Sequence, residues 1–192
     1  MLSRIAQFCH RSMYTLVRER LQRSRLWQMT SRNERLLAFT SLLITLPSVY
    51  FIAQDAMASQ RLSGQIECLA MNIYHEARGE PIAGQYAVAE VTLNRTRSNE
   101  FPSSVCKVVY QKHWNPSRKE IVYAFSWTGL AVTTNLHSAA WRQAWEIART
   151  VLTRNRKPTL QGALFYHSID VKPDWSRTHK RLAVIGRHIF YL

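Results

Sequence analysis

The segment from Leu36 to Ala53 is mostly apolar and contains no charged residue over eighteen positions. This length lies near the lower limit of about 17–25 residues for a membrane-spanning helix. Pro47 interrupts the run, which a spanning helix tolerates better than a soluble one because other groups satisfy the freed backbone. The pattern therefore predicts a transmembrane segment, or the apolar core of a signal sequence, over residues 36–53. A buried core helix is the alternative.

Beyond this segment, apolar side chains recur at helical spacing at Ile66, Leu69, Ala70, Ile73 and Ala77. This spacing predicts an amphipathic helix over residues 63–77. Gly79 follows it and can adopt the left-handed conformation that ends many helices. Three more helices are predicted, at residues 83–97, from Phe101-Pro102 to Tyr110, and at 138–154.

Shorter patterns predict a small amount of sheet. Residues 111–136 mix aromatic, β-branched, Asn, Pro and Gly residues, which predicts a loop with a small β-hairpin. A short strand is predicted at 163–167, and another at 182–191 around Gly186. The predicted fold class is therefore α+β, mainly helical, in a single domain over residues 66–192.

Four zones follow from these patterns. Residues 1–35 form a basic tail, 36–53 a membrane or signal segment, 54–65 a linker, and 66–192 the folded domain. The tail contains eight arginines and two glutamates, so the positive-inside rule keeps it cytoplasmic and exports the rest of the chain.

The fate of the apolar segment is left open by the residues that follow it. Ala56-Met57-Ala58 has the small-x-small form of a signal-peptidase site. The chain is therefore either exported after cleavage near Ala58, or held in the inner membrane with its domain in the periplasm.

Charge narrows the class of partner. The formal net charge is +14, which favours a polyanion such as nucleic acid, anionic lipid or an acidic wall polymer. The basic residues of the domain are scattered singly, and no clustered Lys/Arg helix face or RNA-binding aromatic pattern is present. We therefore expect no nucleic-acid partner, and we expect a monomer that contacts inner-membrane lipid through its N-terminal segment.

Cysteine usage follows the same division. Cys9 lies in the predicted cytoplasmic tail, whereas Cys68 and Cys106 lie in the exported part. In an oxidising compartment these two can form a disulfide; two buried free thiols are the alternative. No CxxC or Cys/His cluster suggests a metal site, and no cofactor is predicted.

Glu76 is the strongest candidate for a catalytic residue. Its offset of seven positions from Leu69 is about 700°, roughly 20° short of two helical turns. Its side chain therefore follows the apolar stripe, in the last turn of the helix where backbone carbonyls are negative. Both influences should raise its pKa and keep it protonated as a general acid. A helix-end Glu paired with Arg78 or another arginine is the alternative.

Several ordered motifs surround Glu76. They read CLAMNIYHEARGEPIAG at 68–84, QYAVAEVTLNR at 85–95, FPSSVCKVVYQ at 101–111, AFSWT at 124–128, GALFYHS at 162–168 and IGRHIFYL at 185–192. Together they resemble the cell-wall hydrolase family that includes the spore-cortex-lytic enzymes, over about residues 65–192.

The resemblance implies a lysozyme or lytic-transglycosylase-like fold, an enzyme acting on peptidoglycan, and a catalytic role for the first Glu of the EARGE motif, Glu76. Matching motifs supply the substrate-binding candidates Glu80, Gln85, Asn94, Trp127, Tyr166 and His167. A structural role is the better expectation for Glu80. Trp127 could stack on a sugar face, but a core position is the better expectation for it. For Gln85, Asn94, Tyr166 and His167 a structural role is at least an equal alternative. The chain departs from the pattern at Thr128-Gly129-Leu130, where many relatives carry Cys-Asp-Gly.

The expected reaction depends on whether a second carboxylate is available, since ordinary glycosidases use two. The candidates Glu80, Glu90, Asp170 and Asp174 all lack a distinguishing pattern. This favours a lytic transglycosylase that cleaves between N-acetylmuramic acid and N-acetylglucosamine and forms 1,6-anhydro-muramic ends. A muramidase, a non-catalytic peptidoglycan-binding module and, less favoured without a metal site, an amidase are the alternatives.

Overall fold

The computed structural model of the chain describes residues 32–117, 119–153 and 156–192. Contacts divide the chain into two units, Met1–Met57 and Ala58–Leu192. Cys9 and most of the basic tail predicted over residues 1–35 lie outside the described residues, and the predicted division into four zones stays a prediction.

Helix α1 runs from Arg32 to Ala77 over 46 residues, with Pro47 inside it. Large apolar side chains in its first half are exposed: Phe39, Leu42, Leu43, Ile44, Leu46, Val49, Tyr50, Phe51 and Ile52. The Ser48 hydroxyl donates to the Ile44 carbonyl at 2.8 Å, next to the proline. By length and composition, the part from Phe39 to Ala77 is the one helix among the described residues that could cross a membrane.

The start of this helix differs from the prediction. A helix was expected over residues 63–77 and a linker over 54–65, the two overlapping at 63–65, but all of residues 54–65 are helical within α1. They read QDAMASQRLSGQ, a segment of mostly good helix formers without proline, so nothing in it ends the helix.

Among its described residues, the second unit contains three further α-helices and two short 3-10 helices, Ser126–Gly129 and Asp174–Arg177. The α-helices are α2 at Ile82–Arg97, α3 at Val105–Val109 and α4 at Ala139–Leu152. The predicted helices at 83–97 and 138–154 are confirmed to within two residues at each end. Ser138 is the N-cap of α4: its hydroxyl accepts a hydrogen bond of 3.1 Å from the Trp141 amide. Helix α3 begins later than predicted, after Pro102 and two serines.

Two small antiparallel sheets complete the unit. Strands β1 (Lys112–Asn115) and β2 (Glu120–Tyr123) form the predicted hairpin. The other sheet contains β3 (Phe165–Ser168), β4 (Arg181–Ile185) and β5 (His188–Tyr191) in the order β3-β5-β4. The single strand expected at 182–191 is therefore a hairpin, since Gly186 turns the chain with a φ of 59°.

The core of the unit lies on both sides of α2. One cluster joins the end of α1 to α3 and α4, through Leu69, Ile73, Val108 and Ala148 among others. The other joins α2 to the three-stranded sheet, through Val88, Val91 and Phe190. A disulfide between Cys68 and Cys106, which are 38 positions apart, links α1 to α3.

Candidate active site

Glu76 lies in the last turn of α1, which ends at Ala77. Its side chain is half-buried, and its carboxylate accepts a hydrogen bond of 3.1 Å from the hydroxyl of Tyr166. Tyr166 belongs to β3, so the sheet brings this hydroxyl to the end of the helix. The structure thus joins the residue predicted as catalytic to one predicted as substrate-binding.

Burial controls the proton affinity of this carboxyl group. Desolvation raises the pKa of Glu76, while the Tyr166 hydrogen bond and then the positive charge of Arg95 act in the opposite direction, and the net shift is upward. The alternative pairing with Arg78 is not formed: that guanidinium lies over the Tyr74 ring, 4.9 Å from its centroid. The pKa of Glu76 is therefore shifted in the direction that a general acid needs.

Tyr166 remains a hydrogen-bond donor in this environment. Burial, followed by the negative charge of Glu76, holds the pKa of Tyr166 well above its ordinary value. Its ring packs edge-on against His188 at 5.2 Å, which fixes the direction of the hydroxyl. In this pair, Glu76 is therefore the acid and Tyr166 is a neutral hydrogen-bond donor.

Arg95 is a site residue that the sequence did not single out. Its side chain is buried, its Nε donates to the Leu164 carbonyl at 2.8 Å, and its guanidinium lies 5.1 Å from the Phe101 ring centroid. Burial lowers its pKa, whereas Tyr166 and Glu76 raise it. The sequence feature that could have identified Arg95 as a site residue is its position at the end of the VTLNR motif, in the last turn of α2.

Trp127, a candidate for stacking on a sugar ring or for a place in the core, lies in the core beside the site. It is 8% exposed, it stacks on His75 with ring centroids 4.6 Å apart, and its indole nitrogen donates to Asn72 Oδ1 at 3.2 Å. The imidazole of His75 also contacts the Thr134 hydroxyl at 2.7 Å. Trp127 therefore positions the residue that precedes Glu76.

Glu80 and Gln85 stabilise the turn between α1 and α2. Glu80 Oε2 accepts a hydrogen bond of 2.8 Å from the Arg187 amide, in the turn of the β4–β5 hairpin. Gln85 Nε2 donates to the Glu80 carbonyl at 3.0 Å. Gly186 lies so close to the Glu80 carboxylate that any Cβ there would collide with it. These contacts support the structural role expected for Glu80.

Asn94 and His167 are also engaged in the protein interior. Asn94 Nδ2 donates to the Leu160 carbonyl at 2.8 Å and to the Ala163 carbonyl at 3.1 Å. His167 is buried; its Nδ1 donates to the Ser168 carbonyl, and its Nε2 shares a hydrogen bond with the Tyr191 hydroxyl. The structure brings neither residue into contact with Glu76.

The other carboxylates considered for a second catalytic role are all engaged elsewhere. Glu90 accepts hydrogen bonds from the Thr159 and Leu160 amides at 2.9 and 2.7 Å. Asp170 pairs with Arg187 at 2.6 Å, and Asp174 lies 3.5 Å from Arg177 on the surface. Among the described residues, the arrangement at Glu76 therefore contains a single carboxylate.

Comparison with known proteins identifies the domain. The family model described as Cell Wall Hydrolase matches residues 79–191. The chain belongs to the cell wall hydrolase family. Among curated relatives, the spore cortex-lytic enzyme of Bacillus subtilis (strain 168) is 33% identical over 144 residues, which cover 71% of this chain and 42% of that protein. That of Halalkalibacterium halodurans is 31% identical over 128 residues, 65% of this chain and 34% of that protein.

This member of the cell wall hydrolase family thus spans less than half the length of the curated relatives it matches. Solved structures match it more completely. The catalytic domain of the germination-specific lytic transglycosylase SleB from Bacillus anthracis has a TM-score of 0.51 and 31% identity, covering 67% of this chain and 93% of that one. The Bacillus cereus SleB catalytic domain has a TM-score of 0.50 and 31% identity, covering 68% and 91%. The mainly helical α+β fold is confirmed.

Proposed function

We propose that this protein cleaves the glycan strands of bacterial peptidoglycan as a lytic transglycosylase, with Glu76 as its acid and base. One observation carries the proposal: a lone, half-buried carboxyl group with a raised pKa receives a hydrogen bond from a neutral tyrosine. The similarity to a domain described as a lytic transglycosylase supports it.

In this mechanism, protonated Glu76 donates its proton to the glycosidic oxygen between N-acetylmuramic acid and N-acetylglucosamine, and the C1–O bond breaks. The Tyr166 hydroxyl then stabilises the carboxylate that forms. That carboxylate takes the proton of the muramyl C6 hydroxyl, whose oxygen bonds to C1 and closes the 1,6-anhydro ring. No water is consumed, and the internal hydroxyl has the high effective concentration of an intramolecular reactant.

The apolar half of α1 supports a place at the inner membrane. Between Phe39 and Ile52, nine large apolar side chains are exposed. Exposure of so much apolar surface is unfavourable in water and favourable in the hydrocarbon core of a bilayer. With the arginine-rich tail on the cytoplasmic side, the domain faces the periplasm. Export after cleavage near Ala58 is the second route to that compartment, and the mass of the mature chain distinguishes the two. In both cases we propose a monomer that binds peptidoglycan and no nucleic acid.

The test is a digestion of purified peptidoglycan by the full chain in detergent micelles, with products identified by mass spectrometry. We expect fragments ending in anhydro-muramic acid, each lighter by one water than a hydrolytic product. Hydrated muramic ends would instead identify a muramidase, and intact strands would leave a binding module.

Glu76→Gln should abolish this cleavage. Loss of a general acid reduces rates by about 10²–10⁴-fold, and the amide keeps the size of the side chain and can still accept the Tyr166 hydrogen bond. The matched control is Glu146→Gln, which changes an exposed glutamate paired only with Arg149. Retention of most activity by Glu76→Gln would disprove the assignment.

A further inference from the structure

A second concave site lies on another face of α2. Its volume is about 730 Å³, within the range of about 300–1,000 Å³ common for small-ligand pockets. It lies between the second half of α2, the last turn of α4 and the segment that begins at Arg156. The residues that α2 contributes are spaced as one helical stripe: Glu90, Leu93, Asn94 and Arg97.

This cavity is separate from the candidate active site. Arg95, the α2 residue that interacts with Glu76 and Tyr166, does not line the cavity, whereas its neighbour Asn94 does. Successive helical residues point about 100° apart. A ligand in the cavity is therefore held without touching the reacting bond.

The walls of the cavity combine an apolar surface with cations. Leu93, Val151 and Pro158 supply the apolar part. Arg97, Arg156 and Lys157 supply the cations. Arg97 and Lys157 are exposed, and neither forms an ion pair with a carboxylate within the described part of the chain. Such a cavity suits a ligand that carries carboxylate groups on a short aliphatic frame.

Glu90 holds one wall in place without repelling an anion. Its carboxylate accepts hydrogen bonds from the Thr159 and Leu160 amides and pairs with Arg156 at 3.2 Å. The Arg156 guanidinium also lies over the Tyr86 ring, 4.1 Å from its centroid. The negative charge is thus enclosed by its own donors, and Arg156 is fixed before a ligand arrives.

We infer that this cavity binds the carboxylate-bearing peptides attached to the glycan strands of the cell wall. The inference rests on the proposed function, because these peptides accompany the strand that Glu76 would cleave. A nucleic acid needs a continuous basic surface along its backbone rather than an apolar cavity with three cations. The peptide site would hold the enzyme on the wall and favour strands that still carry their peptides.

The first experiment measures binding separately from cleavage. The full chain in detergent micelles is titrated calorimetrically with a synthetic wall tetrapeptide bearing free carboxylates, and with the same peptide after amidation. We expect binding of the free peptide that weakens with added salt, and a loss of affinity on the order of tenfold or more for the amidated one, since charge-assisted hydrogen bonds are lost.

The double variant Arg97→Gln/Lys157→Gln should lower affinity for the free peptide by a similar factor, about tenfold or more. Lys107→Gln/Lys172→Gln removes the same charge from exposed lysines that do not line the cavity, and it should bind the peptide like the wild type. Cleavage of peptide-free glycan strands should be unchanged in both variants, while cleavage of intact sacculi at low enzyme concentration should fall only in the first.

Equal affinity for the amidated peptide, or unchanged binding by Arg97→Gln/Lys157→Gln, would overturn the inference. So would equally tight binding of inorganic phosphate or of anionic lipid vesicles at the same residues, which would mark a general anion site. Peptide binding without any glycan cleavage would support the inference and refute the proposed function. Glycan cleavage without peptide binding would support the proposed function and refute the inference.

Discussion

At the scale of single residues, Glu76 shows how an apolar setting changes the chemistry of a carboxyl group. The helical stripe directs it towards the core, and the β3 strand supplies Tyr166 as its donor. Desolvation outweighs the favourable hydrogen bond and the charge of Arg95, so its pKa is raised. One residue can then serve as acid first and as base afterwards.

Replacement of Tyr166 by Phe should change the pH dependence of cleavage. The hydrogen bond lowers the pKa of Glu76, so its loss should move the basic limb of the kcat/KM profile to higher pH. The maximal rate should fall by about 10- to 100-fold, since hydrogen bonds to charged groups contribute about 1.5–3 kcal/mol. Tyr86→Phe, which keeps the ring facing Arg156, is the control. An unshifted profile for Tyr166→Phe would contradict the role given to this hydroxyl.

The same pKa shift predicts a stability effect of Glu76→Gln. Because the pKa is higher in the folded chain than in the unfolded one, the folded state binds more protons between the two values, and its stability falls as pH rises through that interval. The amide does not titrate. Its melting temperature should match the wild type at about pH 4 and exceed it at about pH 8. Circular dichroism at both pH values tests this, and a less stable variant at the higher pH would refute it.

At the scale of elements, the buried Glu90 and the half-buried Glu80 connect segments that lie far apart in the chain. Glu80 joins the α1–α2 turn to the turn of the β4–β5 hairpin, and Glu90 joins α2 to residues 159 and 160. In both cases a carboxylate accepts hydrogen bonds from backbone amides of another segment, and the Leu160 amide would otherwise be buried without a partner. The two contacts hold the sheet that carries Tyr166 against α2.

Loss of the Glu90 carboxylate should therefore be costly. Glu90→Ala leaves two backbone amides and Arg156 without their acceptor, which we expect to lower the free energy of unfolding by about 3–5 kcal/mol. Glu146→Ala is the comparison, since its exposed pair with Arg149 should contribute under about 1 kcal/mol. Chemical denaturation of both variants measures the difference, and equal losses would show that Glu90 is not an anchor.

At the scale of the whole molecule, the chain combines an exposed apolar helix with a strongly basic composition. By length and composition the helix could cross a membrane, and the net charge of +14 favours anionic partners. An enzyme tethered in this way would meet peptidoglycan at the membrane surface.

Charges placed in the middle of the apolar segment should disrupt the tether. Leu43 and Ile44 are 73% and 69% exposed, and an arginine at a helix centre costs about 2.5–3.5 kcal/mol on insertion. Leu43→Arg/Ile44→Arg should release the protein from membranes during alkaline extraction, while Leu43→Ala/Ile44→Ala should stay with them. Retention of the arginine variant would show that this segment is not the anchor.

Local patterns in the sequence predicted the elements and the position of the acid. The spacing of apolar residues placed α4, because one face of this helix is buried. The Ala and Val content placed α2, and turn residues mixed with β-branched ones placed the β1–β2 hairpin. Apolar spacing also placed Glu76 on the buried stripe. The start of α1 was mispredicted because nothing in residues 54–65 distinguishes a helical connection from a linker.

Only the tertiary structure decided which side chains meet. Tyr166 is 90 positions from Glu76, and the amides bound by Glu90 are 69 and 70 positions away. Trp127, for which a core position and a sugar-stacking position were both considered, contacts His75 and Asn72 in the interior. Periodicity reports the face on which a residue lies but not what packs against that face. Partners, burial and the balance of opposing pKa shifts at Glu76 therefore arise from long-range packing alone.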